Sequence, residues 1–175
     1  MQLPNNKKIY FTSDQHFGAP TPELSFPREQ KFVAWLDEVK GDAEAIFLLG
    51  DLFDFWFEYK TVVPKGFIRV LGKLAEIRDS GIPIYFFVGN HDLWMEDYFQ
   101  KELNIPVFHD NQEYTFGDKT FLIGHGDGKG PGDLGYKRMK KIFTNPFFKW
   151  LFRWLHPDIG VKLAQYLSVK NKLIS

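Results

Sequence analysis

An α/β fold built on a parallel sheet is what this 175-residue sequence predicts. Three observations carry that expectation. Short apolar runs each break off at a polar cluster, amphipathic stretches of helical period separate the first three runs, and strand–helix–strand–helix–strand is the order of a parallel α/β unit. The length suffices for one domain with a core.

Taken in order, Ile9-Tyr10-Phe11 stops at Asp14-Gln15-His16, and Ala45 to Leu49 stops at Gly50-Asp51. Ile84 to Val88 stops at Gly89-Asn90-His91-Asp92, and Phe121-Leu122-Ile123 stops at Gly124-His125-Gly126-Asp127. Near-continuous runs of aromatic and branched residues at this length read as strands buried on both faces. From Pro27 to Lys40 the residues Phe32, Val33, Leu36 and Val39 recur at helical spacing, with Pro27 suited to the first turn. From Lys65 to Ser80, Phe67, Val70, Leu71, Leu74 and Ile77 do the same, and Gly81 is a natural stop. A third, weaker helix follows Leu93. Glu113 to Phe116, Gly117-Asp118 and Thr120 to Ile123 read as a hairpin. Residues 1–127 therefore form the core, while 128–175 read as a glycine-rich loop followed by a helical, basic and aromatic segment.

Composition narrows the function. Net charge is zero, so no global field favours nucleic acid as a partner. With no cysteine, disulfides and thiolate metal ligands are excluded. The N-terminus lacks the charged region and apolar run of a signal peptide, and no stretch approaches the roughly 20 apolar residues that span a bilayer.

Ligands of open α/β sheets bind beyond the carboxyl ends of the strands, and all four polar clusters sit at such ends. Asp14, His16, Asp51, Asn90 and His125 are oxygen and imidazole donors, a set suited to Mn²⁺, Fe or Zn²⁺ with open coordination positions. Asp51 is the candidate shared carboxylate for two cations roughly 3.5–4 Å apart, which would acidify a water and clamp phosphoryl oxygens. Each cluster alone has an ordinary reading: Asp-x-His as a turn, Asn90-His91-Asp92 as a helix cap, His125 as a core histidine. Four in order at strand ends favour the site.

The order Asp14-Gln15-His16, Gly50-Asp51, Gly89-Asn90-His91-Asp92, Gly124-His125 resembles the calcineurin-like metallophosphoesterases. The resemblance implies a sandwich of mixed sheets flanked by helices, with Asp14, His16 and Asp51 on one metal and Asp51, Asn90 and His125 on the other. It implies that His91, oriented by Asp92, acts on the phosphoryl or leaving group, and that Asp54 supports the site from behind. The family's closing Gly-His-x-His element has no counterpart, since no histidine follows His156. The expectation is therefore a fragment that ends before the last strands of the second sheet.

Between Lys129 and Arg153, seven Lys/Arg face one acidic residue, Asp133, with Phe143, Phe147, Phe148, Trp150, Phe152 and Trp154 interleaved. That composition suits an anionic ligand with an apolar body, or an anionic membrane surface. Gly50 to Trp56, His125-Gly126-Asp127, Asp133 with Tyr136, and Asn145-Pro146 before an aromatic helix are similar to the UDP-2,3-diacylglucosamine diphosphatases. What this implies is a helical cap after His-Gly-Asp, pyrophosphate hydrolysis to UMP and 2,3-diacylglucosamine 1-phosphate in lipid A synthesis, two divalent ions with Mn²⁺ foremost, and a cytoplasmic position on the periphery of the inner membrane. Asn90, Asp133, Tyr136 and Ser168 match substrate positions, whereas His91 stands where many of these enzymes carry arginine. A nucleotide phosphodiesterase, a phosphoprotein phosphatase and a catalytically silent scaffold are the competing readings.

Overall fold

A computed structural model describes residues 4, 6–127, 140–141 and 143–162. The parallel sheet forms as expected and gains a strand. β1 (Lys8–Thr12), β2 (Ala43–Leu49), β3 (Ile84–Phe87) and a short β4 (Val107–Phe108) lie in that order, all parallel. β5 (Gln112–Phe116) and β6 (Lys119–Ile123) pair antiparallel as the hairpin, with Phe116 opposite Lys119.

Alternation along β2 explains its unbroken apolar run. Ile46 and Leu48 point into a core shared with the helices, among Phe32, Leu36, Val70, Leu74, Phe86 and Phe99. Ala45 and Phe47 point the other way, with Phe87 and Ile123, onto the hairpin. There Phe47 meets Tyr114 edge-on at 5.0 Å and Phe116 at 5.8 Å. The strand is covered on both faces, so neither face needs polar residues. β6 departs from that expectation: Leu122, on the outer face of the hairpin, is 65% exposed, and Phe121, on the same face as the buried Ile123, is still 45% exposed.

α1 (Pro22–Val39) begins five residues before the expected start at Pro27. Thr21 is the N-cap, its side chain accepting from the Leu24 amide at 3.3 Å, and Pro22 occupies the first turn, where an absent N–H costs nothing. Pro27 is tolerated inside the helix. α2 (Ile68–Asp79) starts after Phe67, which sits in the left-handed region at φ 57°, and stops before Gly81. Asp37 and Glu76, one on each helix, share Lys40 and Lys73 at 2.5–2.9 Å.

The third helix, α3 (Tyr98–Leu103), is short and capped from a distance. The buried Glu58 carboxylate accepts from the amides of Glu96, Asp97 and Tyr98 at 2.8–3.1 Å and from Trp56 Nε1 at 3.1 Å. A carboxylate at a helix N-terminus satisfies orphan amides and complements the dipole. In the last segment, α4 (Pro146–Arg153) follows Asn145, whose side chain accepts from the Phe147 amide at 2.8 Å.

Candidate active site

Three tight turns at the carboxyl edge of the sheet, with the end of β6, bring the polar clusters together. Asp14, His16 and Asp51 adopt left-handed backbone at φ 58°, 46° and 54°. Asp and His are among the residues that tolerate this region best, and such conformations persist only where the surroundings enforce them. Here the surroundings are a backbone zipper between the β1 and β2 turns. Asp14 N donates to Gly50 O at 3.1 Å, His16 N to Asp51 O at 2.9 Å, and Asp54 N to Phe17 O at 3.0 Å. Arg28, on the early turns of α1, donates to the carbonyls of His16 and Ala19 and fixes the loop from outside.

Asp51 is the centre. Its Oδ1 accepts from the His91 amide at 2.9 Å, while Oδ2 lies 3.7 Å from His16 Nε2 and 3.6 Å from His125 Nε2. His125 Nδ1 donates to the Leu49 carbonyl at 2.7 Å, so in the neutral ring Nε2 carries no proton; it faces Asn90 Oδ1 at 3.3 Å. A bare imidazole nitrogen, a carboxylate oxygen and an amide oxygen therefore point at one another. Such convergence of acceptors is repulsive unless something positive lies between them.

The other flank repeats the pattern. Asp14 Oδ1 is 3.9 Å from His16 Nε2, and donor atoms of Asp14, His16 and Asp51 lie within 4.8 Å of one another. His16 Nδ1 is buried without a hydrogen-bond partner, 3.6 Å from Asp54 Oδ1. His16, Asp54 and His91 form a second candidate triad. Two donors each about 2.0–2.2 Å from one cation are roughly 3–3.6 Å apart. The Asp14–His16, Asp51–His16 and Asp51–His125 separations of 3.9, 3.7 and 3.6 Å need contraction of only a few tenths of an ångström, so these residues fit divalent cations. Glycine makes the approach feasible: a Cβ on Gly50 would fall 2.6 Å from His125 Nδ1, and one on Gly89 would strike the Asp51 carboxylate.

His91 is held differently from expectation. Its Nδ1 donates to the Asp54 carbonyl at 2.9 Å, and its ring stands edge-on to His16 at 4.6 Å. Asp92, assigned to orient that ring by resemblance, instead accepts from the Gly89 and Leu52 amides at 2.6 and 3.0 Å. It is fully buried and ties the β2 and β3 turns together. Burial pushes its carboxyl up to about 7, and the Asp51 charge adds to this against the pull of the backbone amides. Asp54 is thus the group that faces both His16 and His91.

Asp14, His16, Asp51, Asn90, His91 and His125 converge. Asp133, Tyr136 and Ser168 lie outside the described residues, so their expected substrate contacts have no geometry here. His156 is exposed beside Asp158. Glu58 was missed because its amide partners lie 38 to 40 residues along the chain, and Arg28 because its partners are backbone carbonyls, which no residue type marks. The described residues between 140 and 153 dock on the site loops: Lys140 pairs with Asp127 at 2.6 Å, and Arg153 with Glu96 at 2.5 Å. Phe152 lies 4.6 Å from the Trp94 ring and 4.7 Å from Phe57. Lys140 and Arg153, counted in sequence as cations for an anionic ligand, already have carboxylate partners. On the far side of α4, Phe147, Trp150, Leu151 and Trp154 are 50–75% exposed.

The likeness to known proteins agrees with this geometry. UDP-2,3-diacylglucosamine hydrolase of Porphyromonas gingivalis is 42% identical over 166 residues, covering 94% of this chain and 63% of that protein. The enzymes of the same name from Actinobacillus succinogenes and Edwardsiella ictaluri are 30% and 31% identical, over 94% and 88% of this chain and 68% and 58% of theirs. The chain thus spans about three fifths of the Porphyromonas and Edwardsiella proteins. A protein of unknown function from Aquifex aeolicus shares the fold, with a TM-score of 0.51 and 21% identity over 83% of this chain and 74% of that one. The family model for calcineurin-like phosphoesterases matches residues 7–165, and with the acceptor cluster around Asp51 at the strand ends, the chain belongs to that family.

Proposed function

We propose that the protein is a metal-dependent hydrolase that cleaves the pyrophosphate of UDP-2,3-diacylglucosamine to UMP and 2,3-diacylglucosamine 1-phosphate, a step of lipid A synthesis. The observation that carries the reading is Asp51 Oδ2 lying 3.7 Å from His16 Nε2 and 3.6 Å from His125 Nε2, in a chain 42% identical to a hydrolase of that name. The family implies divalent cations, and the described residues offer candidate ligand groups. In our assignment Asp14, His16 and Asp51 hold one ion and Asp51, Asn90 and His125 the other, with manganese the expected metal. When bound, such ions supply Lewis acidity toward phosphoryl oxygens and a water acidic enough to attack near neutral pH.

The chain's own groups do the rest. Asp51 Oδ1, pinned by the His91 amide, keeps Oδ2 directed between the two histidines. His125 Nδ1, bonded to Leu49 O, fixes the tautomer that leaves Nε2 free to ligate. His91, held through Nδ1 by Asp54 O, directs Nε2 away from that anchor. There it stabilises the phosphoryl charge, or donates a proton as the bridging P–O bond breaks. Water oxygen joins phosphorus, and the departing phosphate keeps the electron pair of the broken bond.

The exposed face of α4 is the proposed seat for acyl chains and for the cytoplasmic face of the inner membrane. No helix among the described residues is long and apolar enough to cross a membrane. Each methylene buried there contributes about 0.8 kcal/mol. The Phe148→Ser/Leu151→Ser variant is therefore expected to raise KM for the diacylated substrate by at least about tenfold, sparing a small chromogenic phosphodiester. Equal losses in kcat/KM on both would reduce those residues to packing and favour a phosphodiesterase of broader substrate range.

A further inference from the structure

Trp94 follows the site turn by two residues and is buried, yet nothing in the proposed chemistry uses it. Its indole N–H, the only polar group of the side chain, donates to the Phe143 carbonyl at 2.5 Å. That carbonyl belongs to the end of a helical turn, where carbonyls lack an intrahelical partner. The ring is enclosed by Phe57 at 4.9 Å, Phe143 at 5.2 Å and Phe152 at 4.6 Å. A backbone bridge to Phe57 ties it to the chain that leaves Asp51. Two residues on, Glu96 takes Arg153. Residues 90–96 thus carry Asn90 and His91 at one end and the anchors of the 140–153 segment at the other.

We propose that Trp94 is a positioning residue that sets the 140–153 segment over the site and thereby determines preference for substrates long enough to reach it. The idea rests on the function proposed above for the meaning of "long". Its structural half stands apart from that. Packing alone would explain the buried ring, but it would not require the donor: a phenylalanine fills most of the same space. The N–H fixes one register of the segment against the His91 turn, whereas aromatic stacking by itself tolerates sliding.

The test compares wild type with Trp94→Phe and with a protein carrying 3-benzothienylalanine at position 94, which keeps the bicyclic shape and removes only the donor. Hydrogen–deuterium exchange is read for peptides covering 140–153 and, as an internal control, for β1 to β3. Loss of one such bond should speed exchange in 140–153 by about fivefold and leave the sheet unchanged in both variants. The ratio of kcat/KM for a diacylated sugar nucleotide over a small phosphodiester should fall by a similar factor, with kcat on the small substrate unaltered. Unchanged exchange in the isosteric protein, or equal losses on both substrates, would overturn the proposal. A wild type indifferent to acyl chains would defeat the substrate assignment instead, and the exchange data would then decide the role of Trp94 alone.

Discussion

At the scale of single residues, Asp51 combines three properties that seldom meet: a left-handed backbone, near-complete burial and a carboxylate facing two imidazoles. A carboxylate oxygen that faces two imidazole nitrogens away from water calls for a positive charge between them. Asp51→Asn should therefore lose most bound metal and essentially all turnover, measured by elemental analysis alongside initial rates. His91→Ala makes the contrast. Its ring is held by Asp54 O rather than directed at Asp51, so metal content should stay near wild type while kcat drops about 10²–10⁴-fold, the usual scale for a group moving a proton. If the metal leaves His91→Ala as well, His91 is a ligand, and the triad it forms with His16 and Asp54 becomes the occupied one.

Among the elements, α1 links stability to the site. Its first turns lie beyond what the apolar repeat of Phe32, Leu36 and Val39 requires. They place Arg28 on the carbonyls of the His16 loop and the buried Ser25 hydroxyl under the Gly18 amide at 2.8 Å. Thr21→Ala removes the cap and should cost about 1 kcal/mol, read as a lowered urea midpoint at unchanged m. Its effect on the rate should be small, because Arg28 lies further inside the helix. A change in m would indicate that the first turns unravel and the loop opens. α4 differs in kind: Phe147, Phe148, Trp150 and Leu151, most of its large apolar side chains, are exposed.

For the molecule as a whole, four stretches separated by up to 111 positions, from Asp14 to His125, close one site. Acceptors brought together by folding repel one another until a cation arrives, so binding and folding are linked. Adding Mn²⁺ should raise the melting temperature in a concentration-dependent way, equivalent to about 2.7 kcal/mol at a hundredfold excess over Kd. Asp51→Asn should show little of this shift. A wild type whose melting temperature ignores manganese, zinc and iron alike would contradict the assigned metal centre.

The sequence alone determined that the fold is a parallel α/β unit and which residues stand at its strand ends, because strand burial and turn chemistry are local and leave periodic or punctuated marks. Ile46 and Phe47 announce a strand covered on both faces, and Gly50-Asp51 announces the turn that ends it. Only the tertiary structure decided what holds those residues in place. The Asp54 carbonyl steadies His91, Asp92 ties two turns instead, Glu58 caps α3, and Trp94 meets Phe143. Each of these contacts spans tens of residues and ends on a backbone group, and every residue has the same backbone amide and carbonyl, proline's missing N–H aside. Nothing in the letters could single out such a partner before the chain had brought it near.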